Sequence, residues 1–193
     1  MNSQKLKLMV IAAMLSAISI IIPMFSPFKI LLEPASFTLA SHVAIFVAMF
    51  ISPAVALAVA AVTTLGFLLG GFPIVVVLRA ASHLIFVAIG AYVLHKKPNL
   101  LDQKLGLVTF AFVISVIHGL TEVFVVMPFY FGSNMPEGYY ARSFLITVIG
   151  LVGIGTLIHS LIDFAIARAV WIPISKSVGR NIPKSTVSHK GTA

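Results

Sequence analysis

Arg79 and His83 stand four residues apart in a stretch of otherwise apolar and small residues, and His118 and Glu122 repeat that spacing further along the chain. Four residues is about one helical turn, so each pair shares a face of its helix. A guanidinium, a carboxylate and two imidazoles suit a small polar ligand. Arg79 can fork onto a ligand carboxylate, while Glu122 or a histidine meets its other polar atoms. Two other chemistries use the same side chains. In one, Arg79 and Glu122 are a plain interhelical ion pair. In the other, His83, His118 and Glu122 hold a metal or a water for an intramembrane reaction. His42, His159, Asp163 and Arg168 are further polar groups in apolar surroundings. Asp163 lies four after His159 and five before Arg168, and these three are expected as a local polar cluster at the cytoplasmic end of their helix.

These residues stand out because of what surrounds them. Hydrophobic residues make up 60% of the chain and charged residues 9%, against about a quarter charged in a soluble domain. A bilayer-spanning helix needs about 20 apolar residues, and six such segments with short loops use most of the 193 residues. The sequence therefore predicts an all-α membrane protein of six transmembrane helices. Residues 1–175 form one domain and residues 176–193 a polar basic tail. The helices are expected over about Lys7–Met24, Phe37–Ile51, Pro53–Leu69, Pro73–His95, Leu105–Phe131 and Arg142–Trp171. Ser26–Ser36 is a loop, Ser52-Pro53 and Gly70-Gly71-Phe72 are turns, and Gly132–Tyr140 is an outer loop. The two short helices before Leu69 can also be read as one bent hairpin dipping into the membrane. The first hydrophobic stretch ends in Ile-Ile-Ile-Pro-Met without a small-residue cleavage site, so it is expected as a retained helix.

The net charge of +8 does not point to nucleic acid, because the basic residues gather at segment ends. With the N-terminus inside, Lys5, Lys7, Lys96, Lys97, Lys104, Lys176, Arg180, Lys184 and Lys190 are cytoplasmic, and only Lys29 and Arg142 are outside. That bias follows the positive-inside rule and puts both termini in the cytoplasm of a cell that keeps this chain in its plasma or inner membrane. At about 1.5 Å per residue, Arg79 lies roughly 9 Å and Glu122 roughly 13 Å below the outer ends of their helices. They can meet in the outer half of the membrane, where a charge near the centre would cost about 3 kcal/mol if left alone.

There is no GxxxxGK[ST] phosphate loop, no HExxH and no GxSxG, and the chain has no cysteine. Neither an enzyme nor a cofactor is expected. Ala13 and Ala17, beside Ala12 and Ser16, make a small-xxx-small stripe that allows close helix approach, either to a partner or within the chain. Phe129, Tyr130, Phe131, Tyr139 and Tyr140 flank the outer loop, which also holds Asn134. They form an interfacial belt or a lid over the pocket. The candidate substrate-binding residues are Arg79, His83, His118, Glu122, Tyr130 and Asn134.

Four stretches carry a family resemblance. They are Ala13 to Ala17 as AxxxA, PASFTLASHVAIFVAMFISP from Pro34 to Pro53, FPIVVVLRAASHLIFVAIGA from Phe72 to Ala91, and VIHGLTEVFVVMPFYFG from Val116 to Gly132. Over about Lys7 to Trp171 the chain resembles the substrate-binding S components of energy-coupling factor (ECF) vitamin transporters, niacin type, with the pantothenate type similar. The resemblance implies capture of a carboxylate vitamin from outside and docking on a transmembrane coupling protein with two cytosolic ATPases. It implies contact with the coupling protein through Ala13 and Ala17. A solitary proton-coupled carrier, with Glu122 as proton site, is the further alternative within transport.

Overall fold

The computed structural model describes residues 3–32, 35–133, 137–140 and 142–178. Asn134 and the tail from 179 onward lie outside the described residues. The chain opens with α1 (Ser3–Phe25) and continues into two antiparallel strands, β1 (Lys29–Leu32) and β2 (Ala35–Thr38), with Lys29 opposite Thr38 and Leu32 opposite Ala35. Then follow α2 (Val43–Ile51), α3 (Pro53–Leu69), α4 (Ile74–Lys96) and α5 (Lys104–Phe131). A π-helical run, Leu145–Ile154, passes directly into α6 (Gly155–Val178). Short 3-10 turns at Leu100–Asp102 and Glu137–Tyr140 complete the described elements.

Local chemistry sets most of the breaks. Between α2 and α3, Ser52 caps the new helix by accepting from the Val55 N–H at 3.3 Å, with Pro53 in the first turn where no intrahelical N–H is needed. Between α3 and α4, Gly71 has φ 73°, a left-handed turn that a glycine adopts without strain.

The second helix departs from the sequence expectation. It begins at Val43, not near Phe37, and the expected loop from Ser26 to Ser36 contains most of a β-hairpin. The fold is therefore helical with one small two-stranded sheet. At nine residues α2 is about 14 Å long, half of a hydrocarbon core of about 30 Å. Among the described residues, four helical stretches are long and apolar enough to span: Ser3–Phe25, Ile74–Lys96, Lys104–Phe131 and Leu145–Lys176. The 17-residue α3 is a shorter apolar helix beside them.

Packing centres on α2. It touches α1, α3, α4 and α6, and its residues Ala44 through Met49 are all buried, as expected of a helix apolar on every side. Phe46 packs edge-on against Phe164 of α6, and Phe86 of α4 lies against Phe46. The helix α5 comes close to the π-helical run at Gly119, where a Cβ would stand 2.7 Å from the Gly153 carbonyl. Any side chain there would force the two backbones apart.

The distribution of polarity is inverted relative to a soluble protein. Large apolar side chains such as Leu69, Leu105 and Leu145 face outward, while Arg79, Glu122, Asp163 and His118 are buried. An apolar perimeter around an interior that buries charged groups is stable only in an apolar solvent.

Candidate functional site

Three helices each bring a polar stripe to the interior. On α4 it is Arg79, Ser82 and His83; on α5, Ser115, His118 and Glu122; on α6, Thr156, His159, Ser160 and Asp163. Each follows the three-and-four spacing of one helix face. Between them, the start of α2 contributes Ser41 and His42.

Glu122 is the hub of one half of the site. Its Oε2 accepts from Arg79 Nη2 at 2.7 Å and from the Thr156 hydroxyl at 2.6 Å. Its Oε1 faces His83 Nε2 at 3.3 Å and His118 Nε2 at 3.5 Å. Arg79 Nε is buried and has no hydrogen-bond partner among the described residues. Arg79 therefore pairs with Glu122 through one edge and keeps donor capacity on another.

Asp163 is the hub of the other half. Its Oδ1 accepts from the Ala40 N–H at 2.9 Å, and its Oδ2 accepts from the His42 N–H at 2.9 Å and lies 3.2 Å from His42 Nδ1. His159 Nε2 stands 3.3 Å from the same Oδ2 and 3.0 Å from Ser41 Oγ. Ala40 has a left-handed φ of 68°, a conformation costing about 1–2 kcal/mol in a non-glycine residue. The Asp163 carboxylate holds that turn and satisfies two backbone donors just before the short helix begins.

A cavity of about 80 Å³ opens onto this arrangement. Arg79, His83, Glu122, His42 and Ser41 line its polar side; Phe67 and Phe72, stacked with centroids 4.6 Å apart, line its apolar side. Ser19 of α1 and Thr63 of α3 also line it, and Ser19 Oγ is buried without a hydrogen-bond partner among the described residues.

Of the residues expected at the site, Arg79, His83, His118 and Glu122 are brought together. His118 is fully buried behind the cavity, with Nδ1 3.2 Å from Ser160 Oγ and its ring stacked on Phe86. Tyr130 stands apart from them. It belongs to an aromatic group with Tyr140 and Phe144, its hydroxyl donates to the Arg142 carbonyl at 3.3 Å, and it does not line the cavity.

The expected cluster of His159, Asp163 and Arg168 is divided. His159 and Asp163 join the buried site, whereas Arg168 donates to the Leu101 carbonyl at 3.2 Å and lies 3.5 Å from Asp102. Five residues turn a helix by about 140° beyond a full turn, which takes Arg168 off the Asp163 face. Ala13 and Ala17 are exposed on α1, while Ser16 and Ser19 point inward.

The sequence reading missed Ser19, Ser41, Thr63, Thr156 and Ser160. A signal existed for the last two, since Thr156, His159, Ser160 and Asp163 stripe one helix face.

Over 174 residues the chain is 41% identical to the niacin transporter NiaX of Lactococcus lactis subsp. cremoris (strain MG1363), a match covering 90% of this chain and 77% of that protein. The chain belongs to the NiaX family. No family model and no solved structure matches it. Like its NiaX relative it is a transport protein, and the several long apolar helices make it a multi-pass protein of the cell membrane. The NiaX match takes in 90% of the chain, far more than the few helices that build the polar site.

Proposed function

We propose that this chain is the niacin-binding S component of an ECF transporter. It takes niacin from outside and delivers it with a transmembrane coupling protein and two cytosolic ATPases. Six segments cross the membrane with both termini in the cytoplasm, residues 37–51 making the second crossing as strand, turn and half-length helix. The observation that carries the reading is the Arg79 edge. In a chain 41% identical to a niacin transporter, a buried guanidinium lines a small cavity and has one donor, Nε, without a partner among the described residues. A carboxylate there makes a charge-assisted bond, among the stronger hydrogen bonds a protein offers.

The rest of the cavity fits the rest of the ligand. A flat pyridine ring has the Phe67–Phe72 wall to lie against. Ser19 Oγ is available to a ring nitrogen. His83 and Glu122 complete the polar side, and His118 supports Glu122 from behind. The cavity, about 80 Å³, is small and suits a compact, flat ligand.

Calorimetric titration of the detergent-solubilised chain tests this. Niacin should bind well, and nicotinamide, which lacks the carboxylate, and pantothenate should bind weakly. Pantothenate binding more tightly than niacin would reassign the ligand. In vesicles, uptake should require the coupling protein and ATP. Uptake by the chain alone, driven by a proton gradient, would replace the ECF reading with a solitary carrier.

A further inference from the structure

The central histidines hold a chemistry that carboxylate binding leaves unused. The His42 ring meets three others, with centroids 4.9 Å from His83, 4.7 Å from His118 and 5.1 Å from His159, and His83 and His118 are 4.7 Å apart. One coordinating nitrogen from each of His42, His83 and His118 lies within 4.8 Å of the other two. Nitrogens on a tetrahedral ion at about 2.1 Å sit about 3.4 Å from one another. Modest ring rotations therefore bring the set into coordination.

Each ring is also held from behind. His42 Nδ1 faces Asp163 at 3.2 Å, His83 Nε2 faces Glu122 at 3.3 Å, and His118 Nδ1 faces Ser160 Oγ at 3.2 Å. Metal-bound imidazoles are oriented in this way, the second nitrogen giving its N–H to a carboxylate, carbonyl or water. The opposite nitrogens of two rings, His83 Nδ1 and His118 Nε2, are buried with no hydrogen-bond partner among the described residues, the latter 3.5 Å from Glu122 Oε1.

The charged groups facing the cluster are Arg79, Glu122 and Asp163. Arg79 pairs with Glu122, and the side chains that meet Asp163 among the described residues are the imidazoles of His42 and His159.

We propose that His42, His83 and His118 form a three-imidazole site for a borderline divalent cation of the Zn²⁺, Co²⁺ or Ni²⁺ class. Imidazole suits these ions, and three protein ligands leave a fourth position open. His42 and His83 line the cavity, which gives the ion its path. Asp163, Glu122 and Ser160 are the outer partners that orient the rings. The proposal goes beyond niacin binding and does not depend on it.

The test uses the full chain in detergent, freed of any purification tag and stripped with chelator. Co²⁺ is titrated by its visible absorption, then displaced with Zn²⁺, and bound metal is measured after gel filtration. One ion per chain is expected, with intense tetrahedral Co²⁺ bands. His83→Ala and His118→Gln should each weaken binding by at least about tenfold, since loss of an outer partner alone typically costs 10–100-fold. His95→Ala, at an exposed histidine in the last turn of α4, should bind as the unaltered chain does. Thermal melting establishes which variants are folded, and if His118→Gln is not, His83→Ala decides. Absence of Co²⁺ and Zn²⁺ binding by the folded wild-type chain, or undiminished binding in folded His83→Ala, overturns the proposal.

Discussion

The Arg79 guanidinium gives Nη2 to Glu122 and has a buried Nε without a partner among the described residues, so removing it acts on two balances. Losing a hydrogen bond to a charged ligand group costs about 1.5–3 kcal/mol. At about 1.4 kcal/mol per decade, Arg79→Ala should weaken niacin by at least about tenfold. It also leaves Glu122 charged and buried without its cation, a change that typically destabilises by about 3–5 kcal/mol. Arg79→Met with Glu122→Gln removes both charges. It should recover much of the melting temperature and none of the niacin affinity. Arg79→Lys should restore only part of the binding, because an ammonium lacks the planar fork. Titration calorimetry and thermal melting of the variants separate the two effects. If niacin and nicotinamide weaken equally in folded Arg79→Ala, the carboxylate is held elsewhere. Much of this site was legible in the sequence because a charged residue amid apolar ones announces itself, and the four-residue spacing of Arg79 with His83 and of His118 with Glu122 gave the faces. Serines and threonines do not announce themselves. Serine and threonine are common in membrane helices, and only the packing of α1 on α3, and of α3 on α4, turns Ser19 and Thr63 toward the cavity.

At the scale of elements, α1 is the least buried of the long helices, and Ala13 and Ala17 lie on its exposed side. A partner helix can approach closely there. Ala13→Trp and Ala17→Trp should abolish uptake in cells carrying the coupling module while leaving niacin titration of the purified chain nearly unchanged. Equal loss of both would assign the stripe to internal packing. The start of α2 makes a contrasting case. Asp163→Asn retains the size of the side chain but turns one acceptor into a donor aimed at a backbone N–H. One buried N–H then goes unpaired, which costs about 1–3 kcal/mol, and the melting temperature should fall accordingly. This same contact is part of why the sequence misled at Phe37. Residues 37–42 contain neither proline nor glycine, and nothing local forbids a helix there. The strand is held by its pairing with β1, and the left-handed turn after it by a carboxylate more than 120 residues away in sequence. The ends of α3, α4 and α5, by contrast, were close to expectation because Pro53, Gly70, Lys96 and Gly132 mark them locally. The π-helical run from Leu145 carries no such marker, and it packs against α5 through the glycine contact at Gly119 and Gly153.

For the molecule as a whole, the apolar perimeter and polar interior explain how composition alone placed the chain in a membrane. Composition could not count the crossings, because α2 is too short to register as a span and is held by its neighbours on all sides. That placement bears on how the protein is made. As the chain leaves the ribosome, the Ala40 and His42 N–H groups just before α2 enter the lipid unpaired, in a solvent that offers them no water. The residue that satisfies them, Asp163, is synthesised last among the helices, 121 residues after His42. Until then α2 has no stable place in the bilayer, and it is expected to linger at the interface or against whatever insertion machinery shelters it. Chains halted before α6 should leave a cysteine placed at position 45 open to a water-soluble maleimide, and chains that extend through Val178 should bury it. Completion of the final helix would then be the step that commits the newborn chain to its fold.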